Sequence, residues 1–199
     1  MPLKLITPPA FEPVALAEAK AQCNVDLAFT DDDALLSSMI AAARGHAEHL
    51  TGRALPTQTL ELVLDRFSAG AIELPRPPLA SVESVKCLDA AGAEQTMDPA
   101  LYRVDTDSLV GRVYPVGSWP ETATDRHDAV RIRYVAGWPM SEGGSPVWTG
   151  PTQIKQWMLI RIASLYAQRE SFITGAIKFD MDRSFVDGLL DAYYVPRVA

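Results

Sequence analysis

Apolar positions early in the chain recur at three- and four-residue spacing. The clearest run is Leu35, Leu36, Met39, Ile40, Ala43, Ala47 and Leu50, with Ser37, Ser38, Ala41, Arg44 and Glu48 on the other side. One apolar stripe of this kind predicts a helix of about 20 residues, about 30 Å long. Thr30 is placed to cap it, Asp33 three residues on completes a capping-box pattern, and Asp31 and Asp32 suit the positive end of the helix dipole. Gly52 sits where a helix prefers its C-terminal glycine. Upstream, Pro13 fits a first helical position and Val14 to Gln22 is rich in helix formers, so a short helix is expected, stopping at Asn24. Pro8 and Pro9 hold the preceding residues extended, as an arm before the fold.

From Thr57 to about Gly137 the period shortens to two. Leu60, Leu62 and Leu64 alternate with Thr59, Glu61 and Val63, as a half-buried strand requires. Ala71 to Leu74, Val82 to Leu88, Tyr102 to Val104, Leu109 to Tyr114 and Ala129 to Val135 read as further short strands separated by Gly, Pro and Asp turns. Gly143-Gly144-Ser145-Pro146 marks a loop, after which Pro151 opens another helix. Ile154, Trp157, Met158, Ile160, Ile162, Leu165 and Tyr166 make that helix apolar over more than one face, and Arg169-Glu170 close it. A final helix is expected around Asp182 to Tyr194.

The pattern predicts an α+β chain. A small antiparallel helical core is interrupted by an inserted antiparallel sheet or small barrel and followed by a C-terminal tail. The expected boundaries are 1–56 for the first part of the helical core and 57–137 for the β insertion. Residues 138–170 supply a loop and the last core helix, and 171–199 the tail.

Composition narrows this picture little. The chain has 199 residues, 48% of them hydrophobic and 22% charged, as a globular domain has. No run approaches the roughly 18 apolar residues of a membrane span. The N-terminus has no signal-peptide pattern, which points to a protein made and kept in a cytoplasm. Cys23 and Cys87 lie far apart with no companion pattern and read as reduced thiols. Charge changes more. Asp and Glu exceed Lys and Arg by 25 to 18, leaving −7, whereas a duplex-binding protein neutralises phosphates with a basic patch.

Motifs for chemistry are missing. There is no Gly-Lys-Ser/Thr phosphate loop and no Gly-x-Ser-x-Gly elbow. His46 and His49 share a helix face at a metal-compatible spacing, but no third ligand accompanies them, and His127 stands alone. Asp31-Asp32-Asp33 is explained by the helix start as well as by a cation. Asp180 and Asp182 lack the remaining ligands of a calcium loop. Trp157 is expected in the core, while Trp119, Trp138 and Trp148 surround the late loop region, where tryptophan serves core and interface alike. No catalytic residue, cofactor or metal is expected.

Taken in order, several short stretches resemble the phage head–tail connector family, adaptors with a helical core and an inserted β region. They are Asp31-Asp32-Asp33 with Leu36, Ile40 and Ala41 to Arg44, then Glu48, Thr51 to Leu55 and Gln58-Thr59. Leu74 to Leu79 follows, then Ser81 to Val85, Tyr102 to Asp105 and Tyr134 to Trp138. Ile154 to Gln156, Tyr166 and Arg169-Glu170 complete the match, which spans about residues 12–170. The resemblance implies a non-enzymatic subunit of a ring, commonly of twelve copies, in a phage or gene transfer agent particle. Such a ring joins the portal protein to the stopper or tail proteins, and double-stranded DNA passes through it without specific binding.

Two surfaces are expected to serve that role. The tail residues Phe172, Ile173, Ile177, Phe179, Phe185, Leu189, Tyr193 and Tyr194 are more apolar than a solvated tail needs, so they are expected to order on the portal. Arg44, Glu48 and Arg53 offer charge pairs between neighbouring copies. The competing readings are a DNA-packaging or DNA-binding factor, which would need a basic recognition helix, and a hydrolase assembled from scattered residues.

Overall fold

In the computed structural model, which describes residues 3–123, 126–142, 147–168 and 186–196, the chain forms two compact units. One comprises Met1–Ala10 with Pro56–Trp138, the other Phe11–Leu55 with Pro139–Ala199.

The first unit is built on β8, Val130–Ala136, whose burial alternates without a break. Val130, Ile132, Tyr134 and Ala136 are buried while Arg131, Arg133 and Val135 are half-exposed. Strands β1 (Leu3–Thr7), β2 (Gln58–Leu64), β4 (Leu79–Leu88) and β5 (Glu94–Thr96) complete an antiparallel sheet in the order β1-β2-β8-β4-β5. Register puts Leu60, Leu62, Ile132, Tyr134 and Val85 on one face. Each side chain of this size adds about 2 kcal/mol when it leaves water. Two register shifts in β4, at Leu79/Ser81 and Val82/Ser84, bend that strand against β8. A second sheet of order β3-β7-β6 uses β3 (Ile72–Glu73), β6 (Tyr102–Asp105) and β7 (Arg112–Pro115). Gly111 lets the two sheets approach, because a Cβ there would lie 2.4 Å from the Leu79 side chain. The buried Tyr134 hydroxyl donates to the Pro75 carbonyl at 2.7 Å, fixing the segment after β3.

Three helices make the second unit: α1 (Leu16–Gln22), α2 (Asp33–Thr51) and α3 (Thr152–Ala167), each packed on the other two. On α2 the buried positions are Leu36, Ile40, Ala43, Ala47 and Thr51, the core of the expected stripe. Gly52 ends the helix in the left-handed conformation, φ 73°. The start differs by two residues. Asp32, not Thr30, is the N-cap, and its carboxylate instead accepts a 2.6 Å hydrogen bond from the Tyr166 hydroxyl of α3. Helix α3 buries Ile154, Trp157, Met158 and Ile162, a single face, while Leu165 is exposed, so it is less enclosed than its composition suggests.

Two expectations need correction. Residues 3–7 are not an arm ahead of the fold, nor part of the helical core. They pair antiparallel with β2, Leu3 opposite Leu62 and Leu5 opposite Leu60. A strand that short, with Pro following it, carries too little pattern to be recognised without its partner. Of the antiparallel sheet or small barrel expected, the structure has two antiparallel sheets, and β5 is a short strand that no period-two run predicts.

Gly137 closes the β unit at φ 104°, and a Cβ there would lie 2.3 Å from the Pro56 carbonyl oxygen. Gly137→Ala should therefore cost about 2–4 kcal/mol, from backbone strain and overpacking together. Chemical denaturation should show this as a lower midpoint at unchanged slope.

Candidate interaction surfaces

Among the described residues no three potential metal ligands lie together. His46 leans edge-on against Trp157, ring centroids 5.3 Å apart, and partial burial with the nearby Arg161 charge lowers its pKa. Asp33 lies 2.6 Å from the Lys20 ammonium. The Asp31–Asp33 run thus serves the helix start and its neighbours. Asp180 and Asp182 lie outside the described residues.

The polar face of the five-stranded sheet is charged but balanced. Arg133 pairs with Glu61 at 3.0 Å, Arg131 with Asp128 at 2.7 Å and Lys86 with Glu94 at 2.7 Å. The Lys86 hydrogen bond and charge hold the Glu94 carboxyl below its usual range, and Arg131 does the same for Asp128. Exposed pairs of this kind contribute little to stability.

Arg44, Glu48 and Arg53 do not form an open charged strip. Arg44 reaches Glu12 at 2.8 Å and Glu48 at 3.0 Å. Glu48 accepts from the Leu55 amide at 2.9 Å, and the buried Arg53 donates to the Tyr193 carbonyl at 2.7 Å. Arg44 and Glu48 lie on α2 and Arg53 follows its Gly52 stop, and all three are engaged within the chain by residues 12, 55 and 193.

The C-terminal residues bring the larger surprise. Phe172, Ile173, Ile177, Phe179 and Phe185 lie outside the described residues. Residues 186–196, however, are seated on the helical unit, with a 3₁₀ turn at Gly188–Tyr193. Leu190 is 0% exposed there. Asp187 accepts from the Trp157 indole at 3.1 Å and from Arg161 at 3.0 Å, while the Arg161 guanidinium lies over the Trp157 ring. The Tyr193 hydroxyl donates to Gln153, and the Val195 amide to the Thr51 carbonyl. Leu189 and Tyr193 are half-buried and Tyr194 is exposed. A free tail is therefore the wrong description of its last residues. Leu190, the residue sequence reading passed over, is the one most completely enclosed.

Tryptophan placement follows the same logic. Trp148 is buried with its indole donating to the Leu55 carbonyl at 3.3 Å. Trp119 stacks on Phe67 at 4.5 Å and donates to Gly70.

Comparison with known proteins gives these surfaces a setting. Residues 13–95 match the phage gp6-like head–tail connector family. That match covers less than half of the chain and is a likeness to the family over those residues. No curated protein matches the chain significantly. Among solved structures, a chain from the neck of an empty gene transfer agent particle, computed with C6 symmetry, superposes with a TM-score of 0.79 at 24% identity. A chain of the native gene transfer agent virion gives 0.77 at 24% identity. A chain from the native neck, computed with C12 symmetry, gives 0.75 at 23% identity. Each comparison covers 100% of this chain and 98% of the other, so the shared fold extends past the residues matched to the family.

The seating of Leu190 makes a clear prediction. Leu190→Ala should cost about 2–5 kcal/mol, as emptying a closed apolar site does. Asp187→Asn should weaken the same contact less. Urea unfolding of the full chain measures both, and an unchanged midpoint for Leu190→Ala would show that the segment does not hold the helices.

Proposed function

We propose that this chain is a structural head–tail connector subunit that works as one copy of a ring, of twelve, in the neck of a phage or gene transfer agent particle. The ring lies between the portal and the stopper or tail proteins and continues the channel through which DNA passes. The observation carrying this reading is the end-to-end likeness to neck chains of cyclic symmetry, joined to the connector-family match over residues 13–95.

The physical chemistry agrees with a passive channel part. A net charge of −7 and a sheet face on which Arg133, Arg131 and Lys86 are each paired with a carboxylate give DNA little counterion-releasing surface to grip. Portal contact draws on residues 171–199. In this reading residues 186–196 are the seated base of the contact, Tyr194 faces outward from it, and Phe172, Ile173, Ile177, Phe179 and Phe185 supply apolar side chains for the portal. Arg53 and Asp187 act behind that surface by holding its base to the helices.

Electron microscopy of particles assembled without this chain tests the proposal. DNA-filled heads lacking tails are the expected product, with tails restored when the full chain is added back. Heads that remain empty of DNA would instead identify a packaging factor.

A further inference from the structure

Two exposed features left unused so far complement one another. The first is the loop from Asp26 to Asp31 between α1 and α2, exposed at every residue. Leu27 is 64% exposed and Phe29 44%. The loop is held from beneath. The Lys20 ammonium, buried, donates to the Phe29 carbonyl at 2.6 Å and the Leu27 carbonyl at 3.2 Å, beside Asp33. Asp26 accepts from the Ala28 amide at 2.8 Å. A buried ammonium is costly unless its charge and hydrogen bonds are all met. Here they are met by a backbone that presents two apolar side chains to water between two carboxylates, Asp26 and Asp31.

The second is a shallow cavity of about 460 Å³ on the three-stranded sheet, lined by Arg103, Tyr114, Pro115, Val116 and Gly117. Arg103 and Tyr114 are cross-strand partners. Arg112 nearby is matched by Glu73 at 2.9 Å, but Arg103 has no ion pair among the described residues. An arginine beside tyrosine and aliphatic side chains is the composition of an interface anchor.

We infer that the α1–α2 loop of one copy seats in the Arg103 cavity of the next, Leu27 and Phe29 against Tyr114 and Val116, and Asp31 facing Arg103. The inference rests on the ring reading above. Charge decides the occupant: the cavity offers an unmatched cation and apolar walls, and the loop offers carboxylates and apolar side chains. Because the two halves are different surfaces of one chain, their contact is heterologous, the kind that closes rings and not two-fold dimers.

The test uses assembled particles carrying Ala28→Cys together with Val116→Cys. Oxidation should produce a ladder of covalent multimers on a denaturing gel, and neither single variant should produce one. As a second measurement, Asp31→Arg should lower incorporation into necks on the order of tenfold, as loss of a coupled interface charge pair does. Asp31→Arg combined with Arg103→Glu should restore it. Rings seen by microscopy without a ladder or a charge rescue would overturn this contact and leave the ring reading standing. Necks that contain the chain in no ring would sink both.

Discussion

A helix whose apolar stripe runs its whole length cannot stand in water, and covering α2 is the constraint that arranges the helical unit. Leu36, Ile40, Ala43 and Ala47 need partners that sequence neighbours cannot provide. They come from α1 just before, from α3 a hundred residues later, and from residues 186–196 later still. The polar atoms at the ends of these elements are satisfied by one another. Tyr166 bonds the N-cap Asp32 and Arg53 the carbonyl of Tyr193, so packing and hydrogen bonding fix the same arrangement.

The β unit solves the same problem with a different period. The large sheet has one apolar face and one that carries ion pairs, Arg133 with Glu61 and Lys86 with Glu94 among them. Such a surface suits contacts that must be specific without being adhesive. Among the described residues the displayed features include an apolar loop between α1 and α2, a shallow cavity on the small sheet beside Arg103, and a seated C-terminal segment.

Those surfaces also show how far sequence reading carries. The α2 stripe, the Gly52 stop and the alternation of β8 were legible because each is a local periodicity tied directly to burial. The Asp31–Asp33 run and the histidines were weighed as ligands or as helix-end residues, and the structure puts Asp32, Asp33 and His46 in packing roles. Arg44, Glu48 and Arg53 have partners within the chain that helical spacing does not reveal. Lys20 was invisible as a structural residue, since a lysine in an amphipathic helix ordinarily faces solvent and only the returning loop encloses it.

What the sequence determined by itself is the kind of each element, which depends on short-range spacing that the chain carries wherever it goes. Only the tertiary structure decided that residues 3–7 form an edge strand, that Leu190 enters the helical core and that Lys20 is buried. Each of these depends on a partner distant along the chain, and the free energy of such a contact exists only once the fold has brought the two together.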